Sequence, residues 1–245
     1  LGCTNNGVRF DTGATIQIPA TTNVTLAASR VFNILSTNVA TFDIPSGSSL
    51  TLSGPVTNSG SLSKVNAGAL TLLGASTYSG GTSIRGGILG VRADSSLGAV
   101  PPSPATNLFF ATSGTLRSEA NHALTVNRML VINTNVVATF DTQGYTQTVN
   151  GVLSGAPGSW LYKSGNGTLV LNPGADKTNS VSSLRNLAGT LLYSSGTHLI
   201  TTNTVWNQYK VYDTLYVNGG TVLVGGGLLM TTGSGYATIQ NGSLL

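Results

Sequence analysis

Charge is what this sequence lacks most: Lys, Arg, Asp and Glu together make up only 7% of 245 residues, against about 25% in an average soluble domain. The 11 cations are scattered singly, so the net charge of +4 and the pI near 9.4 reflect a shortage of acids. A phosphate-binding surface needs clustered cations, so nucleic acid is not an expected partner. Cysteine is almost missing as well. Cys3 stands alone, which excludes an intrachain disulfide and Cys-rich metal sites. No run reaches the roughly 18 apolar residues needed to span a bilayer, and no charged start followed by an apolar stretch marks a signal peptide. A chain that opens on Leu1 rather than Met reads as a processed or excised part of something longer.

Helix signals are also missing, since no window of 11 or more residues sustains apolar positions at helical spacing. What the chain has instead is 32 glycines, many Thr, Ser and Asn, and short alternating runs. "ATIQI" (14–18), "SLTLSG" (49–54), "ALTLLG" (69–74), "TLVLN" (168–172) and "TVLVGG" (221–226) are of this kind. Such runs, bounded by Gly, Asn or Pro, predict strands of about five residues with one face in and one face out. With 40% of residues apolar, the chain is expected to fold.

An internal repeat organises these strands. "RVFNILSTNVATFD" (30–43) aligns without a gap on "RMLVINTNVVATFD" (128–141), 98 residues on. After one inserted residue near Trp160, "LSKVNAGALTL" (62–72) pairs with "LYKSGNGTLVL" (161–171), so Lys64 meets Lys163 and Gly68 meets Gly167. Fainter echoes join "SIR" (83–85) to "SLR" (183–185) and "GGIL" (86–89) to "AGTL" (188–191). Fixed-period self-similarity implies stacked units that bury their apolar faces on one another. The economical all-β solution is a parallel β-helix with coils of about 20 residues, each rising about 4.8 Å. That predicts about five coils per repeat and about twelve in a rod on the order of 55 Å.

The reading is of one continuous solenoid over 1–245, with repeat units at 30–127 and from 128 through 202, and divergent coils over 203–245. Gly80-Gly81, Gly86-Gly87 and Gly219-Gly220 are expected to turn corners. Leu70, Leu72, Ile84, Ile88 and Val91 are expected to face inward, with Tyr78 at a coil edge. Outward Thr and Ser should bond to like residues on the next coil. "GAVPPSPATN" (98–107), with three prolines, should leave the coil as a protruding loop.

Residues 62–98, "LSKVNAGALTLLGASTYSGGTSIRGGILGVRADSSLG", resemble the autotransporter-associated β-strand repeat of bacterial surface proteins. The likeness rests on the Lys, the Gly-x-Leu-x-Leu-x-Gly, the Thr-Tyr-x-Gly-Gly-Thr and the Gly-Gly-x-Leu. It extends more weakly over about 24–192, where the second copy has "DKTNSVSS" (176–183) in place of the Tyr-x-Gly-Gly corner. The resemblance implies a right-handed parallel β-helix in a large secreted or cell-surface protein, with no catalytic residues to carry over.

Chemistry is thinly represented. β-Helix enzymes that cleave polysaccharides gather two or three carboxylates on one strand face, and the whole acidic inventory here is Asp11, Asp43, Asp94, Glu119, Asp141, Asp176 and Asp213. Asp43 and Asp141 recur with the repeat, which favours a corner or ladder role. Asp94, Glu119 and Asp213 are isolated unless coils bring them together. His122 and His198 stand alone and read as outward strand or loop residues. "GNG" (165–167), "GGG" (225–227) and "GSG" (233–235) lack the spacing and the helix of a phosphate loop and read as corners. The densest aromatic group, Trp206, Tyr209, Tyr212 and Tyr216, offers either core packing or a sugar-stacking platform.

The sequence therefore points to a non-enzymatic, extracellular or cell-surface β-solenoid, structural or adhesive, with no cofactor and no membrane insertion by this segment. Its expected partners are flanking domains or neighbouring copies meeting its open ends, including end-to-end assembly, and surface glycans. The alternatives are a polysaccharide-active β-helix enzyme and a glycan-binding module using Trp206 and its tyrosines.

Overall fold

The computed structural model describes residues 7–201 together with the strand backbones 208–211, 214–224, 227–230 and 236–244. Every turn of the chain crosses three faces. The first turn lays Val8–Phe10 on a first face, Ala14–Gln17 on a second and Asn23–Leu26 on a third. The next places Phe32–Ile34, Val39–Asp43 and Ser49–Leu52 on them in parallel register. Each strand is too short to hold itself, and its backbone groups are taken up by the coils above and below wherever a neighbour is present. The result is a right-handed parallel β-solenoid of about ten turns, one for each of the ten strands stacked on the third face.

This is fewer turns than the expected coil length implies, because the corners and loops carry more residues. One turn takes 20 residues from Leu62 to Thr82, and the next takes 26, from Thr82 to Leu108. Ten turns at about 4.8 Å make a rod of about 48 Å.

The longer turns also put the sequence repeat out of step with the coil. Val39–Asp43 lies on the second face, whereas its counterpart Val137–Asp141 lies on the third, beside Trp160–Ser164. Lys64 moves likewise from the second face, beside Phe42, to the third at Lys163, beside Phe140. Ninety-eight residues therefore cover about four and one third turns rather than five, and each unit arrives rotated by one face.

Alternation explains the core. Leu50, Leu70, Leu89 and Leu116 stack in register up the third face, and Phe140 caps the run. All five are buried. Leu70, Leu72, Ile84 and Val91 point inward as expected, but Ile88 pairs with Ala69 and is partly exposed, while Leu89 takes the inward place. Outside, Thr25, Thr51 and Thr71 form an in-register row. The hydrogen bonds between coils run chiefly through Asn rather than between like hydroxyls. Asn172 donates to Asn150 Oδ1 at 2.8 Å and accepts from Ser195 Oγ at 2.6 Å.

The corners demand glycine for two reasons. Gly81, Gly86 and Gly87 have φ of 82°, 118° and 62°, a region closed to most side chains. Elsewhere coils press together: a Cβ on Gly54 would lie 2.0 Å from the Arg30 carbonyl oxygen, and one on Gly151 would lie 1.9 Å from that of Arg128. Gly219-Gly220 falls where Thr214–Val224 passes from the first face to the second without a break in the ladder. GGG (225–227) and GSG (233–235) lie largely outside the described residues.

The first face is interrupted. Between Val56–Thr57 and His122–Leu124 it has no strand. Tyr78 fills the space, fully buried, with its Oη 2.6 Å from Thr82 Oγ1 in hydrogen-bond contact. Burial pushes its phenol up to about 12. Above it the chain makes a short 3-10 helix, Asp94–Leu97, and then the exposed proline loop before Ala105–Phe110. Arg128, fully buried, ties this detour down. Its Nε donates to Asp94 Oδ1 at 2.8 Å, and its Nη atoms donate to the Leu97 and Gly98 carbonyls and to Asn107 Oδ1.

Candidate functional site

Two lysines show how little of this chain's charge is offered to solvent. Lys64 and Lys163 sit in inward rows of the core, fully buried. Lys64 Nζ donates to the carbonyls of Val65, Asn66 and Gly86 at 2.7, 2.6 and 3.3 Å. Lys163 Nζ donates to those of Ser164, Gly165 and Ala188 at 3.0, 2.6 and 2.7 Å. Each ammonium thus closes a corner whose carbonyls turn inward. Burial lowers the Lys64 amine to about 8, against a weaker opposing pull from Asp43.

Most carboxylates are similarly engaged; Asp176 is exposed and takes no partner among the described residues. Asp94 pairs with Arg128, Glu119 with Arg117 at 2.7 Å, and Asp11 with Arg9. Asp43 accepts from Gln17 and Asn66, and Asp141 accepts from the backbone and side chain of Gln143. Asp43 thereby joins neighbouring coils, Gln17 being its register partner, while Asp141 closes its own corner. Asp213 lies outside the described residues. Among the described residues no three of His, Cys, Asp and Glu gather into a metal-binding group.

The histidines differ from expectation. His198 is buried in a chain of polar contacts: the Leu153 N–H donates to Asn179 Oδ1 at 2.8 Å, Asn179 Nδ2 donates to His198 Nδ1 at 3.2 Å, and His198 Nε2 donates to the Ser195 carbonyl at 2.8 Å. Tyr193 packs on its ring at 4.4 Å between centres. Both ring nitrogens are used by the neutral form, and burial lowers its pKa to about 4. His122 is partly buried, donates from Nδ1 to the Ala120 carbonyl at 3.0 Å and is shifted down for the same reason.

Of the aromatic group anticipated at the C-terminal end, Trp206 and Tyr212 lie outside the described residues. Tyr209 falls on Gln208–Val211, in the third face, and Tyr216 on Thr214–Val224, beside Thr190–Tyr193 of the first.

Two outward features remain. On the second face a groove of about 530 Å³ lies over Ser61, Ser63, Gly81 and Ser83, walled by Val39 and Thr41 below and Thr106 and Phe109 above. It exists because small residues on two middle coils lie between larger ones. On the third face Trp160, Tyr162 and Arg185 form a cluster. The two rings meet edge to face at 5.9 Å and 88°, and the Arg185 guanidinium lies 4.9 Å from the Trp160 ring centre and 5.4 Å from that of Tyr162. Sequence reasoning missed this cluster because Arg185 reaches it only through the coil register, Tyr162 pairing with Arg185.

The outward faces of this parallel solenoid are lined chiefly by hydroxyls and amides. Residues 62–91 match the passenger-associated-transport-repeat family. An adhesin autotransporter, BmaC, of Brucella suis biovar 1 (strain 1330) is 38% identical over 116 residues. That stretch is 47% of this chain and 3% of the adhesin's length. No solved structure matches the chain. The repeat resemblance read from residues 62–98 is thus matched over 62–91.

Proposed function

We propose that this chain is an adhesive segment of a bacterial surface protein, displayed outside the cell, with no catalytic activity of its own. The observation that carries the reading is the disposition of the charged groups. Asp43, Asp94, Glu119 and Asp141 hold corners, loops or neighbouring side chains and Asp176 stands exposed with no second unengaged carboxylate among the described residues, whereas cleavage of a glycosidic bond needs a free pair facing one sugar. The likeness to part of an adhesin autotransporter supports attachment as the task and the cell surface as the place. Flanking coils or neighbouring copies meeting the edge strands are the proposed protein partners, and sedimentation velocity over a range of concentrations tests the copies.

The experiment that separates adhesion from catalysis uses the purified chain on beads. Beads carrying it should adhere to host-cell and matrix surfaces above beads carrying an unrelated β-helix, and the soluble chain should release no reducing ends from a polysaccharide panel. Sugar release that is lost in Asp94→Asn or Glu119→Gln would establish an enzyme instead.

A further inference from the structure

We infer that the Trp160, Tyr162 and Arg185 cluster on the third face is a binding site for acidic glycans, chains bearing carboxylate or sulfate groups. The inference rests on the adhesive reading for its biological sense and names the ligand chemistry which that reading leaves open.

The argument begins with Arg185. Among the described residues no carboxylate lies within ion-pair distance of it; the ion pairs are those of Arg9, Arg117 and Arg128. Its Nε is buried and has no hydrogen-bond partner. A guanidinium is planar, weakly hydrated and always charged, and it suits carboxylate or sulfate through a two-pronged contact. Here the two rings fix that plane in advance, so little side-chain freedom is lost when an anion arrives.

The neighbouring coil adds to this. Arg185 is in register with Lys210 on the next strand of the same face, so two cationic residues occupy adjoining positions of one ladder. The same ladder continues below through Tyr162, Thr139 and Thr115. A polyanion lying along it would meet a cation, an aromatic ring and hydroxyls in turn, at the coil rise of about 4.8 Å. That rise is of the order of one sugar unit. Trp and Tyr present flat apolar surfaces with a polar edge, which suit the C–H face of a sugar and have no equivalent use for an acidic peptide backbone.

The test titrates the full chain with heparin-derived and hyaluronan oligosaccharides by calorimetry, with neutral dextran oligosaccharides and polyglutamate as comparisons. The acidic sugars should bind and the neutral ones should not, with affinity falling as salt is added. Arg185→Gln and Trp160→Leu, each checked for unchanged circular dichroism, should bind about tenfold more weakly or not at all. Arg85→Gln removes the same charge from an exposed position on the second face and should bind as the parent does. The inference is overturned if Arg185→Gln binds normally, if Arg85→Gln loses as much, if polyglutamate binds equally well, or if no acidic sugar binds. Bead adherence tells this failure from that of the adhesive reading: beads that still adhere leave only the glycan site refuted.

Discussion

The buried lysines and His198 show residues whose chemistry serves the fold rather than a reaction. Lys64 satisfies three carbonyls at once, and Lys64→Met should cost about 2–4 kcal/mol in urea unfolding because those acceptors lose their donor in a dry site. Its amine titrates near 8 in the native chain and 10.5 when unfolded. The unfolded state therefore holds the extra proton between those values, and stability should rise with pH across that window. Lys64→Met should flatten that rise. His198 acts at the other end. Its native value near 4 lies below the ordinary 6.5, so its contribution is complete above pH 6.5 and is lost as pH falls toward 4. Protonation would put a second donor against the Asn179 amide, whose reversal would break the bond to Leu153. Urea midpoints between pH 6.5 and 5, above the carboxylate range, should decline in the parent and less in His198→Gln. Neither residue's position was legible in the sequence. Lys is almost never fully buried, and a lone His gives no sign of which way its strand faces.

Among elements, the detour over Asp94–Leu97 and the tight corners are where single changes should do most harm. Arg128→Met leaves Asp94 without its cation and the Leu97 and Gly98 carbonyls without a donor. It should cost about 3–5 kcal/mol and open the proline loop to limited proteolysis well before the coils unfold. Gly151→Ala should cost about 2–4 kcal/mol in thermal or urea unfolding, because its Cβ meets a backbone oxygen that cannot move alone. Gly144→Ala, with nothing within 4 Å of the added carbon, should stay within about 0.5 kcal/mol. The strands themselves were readable: alternation in "ALTLLG" placed Leu70 and Leu72 in the core, where they are buried, as are their repeat counterparts Leu169 and Leu171 in "TLVLN". The phase of Ile88–Val91 was not. Gly86 and Gly87 both take positive φ before it, and a left-handed corner resets which residue faces inward. The loop was legible from its prolines, although its expected end at 107 runs into the strand Ala105–Phe110, whereas Arg128, 30 residues on from Gly98, showed no sign in sequence of holding it.

For the whole molecule, the repeat and the coil have different periods, and that difference decides what the surface displays. A unit of 98 residues that spans about four and one third turns carries its features to a new face each time, as Val39–Asp43 and Val137–Asp141 show. A sequence period alone cannot reveal this, since it counts residues and not corners. It also explains why the candidate site was missed: Trp160 and Arg185 are 25 residues apart, and only the register of Trp160–Ser164 on Ser183–Asn186 joins them. The account's central claim is that this solenoid attaches and does not catalyse. The most direct measurement is single-molecule force spectroscopy with the chain on the tip and host-cell or acidic-glycan surfaces beneath. The account predicts rupture events more frequent than with an unrelated β-helix on the tip, retained in Asp94→Asn and Glu119→Gln. Rupture frequency equal to that of the unrelated β-helix on every surface would contradict it.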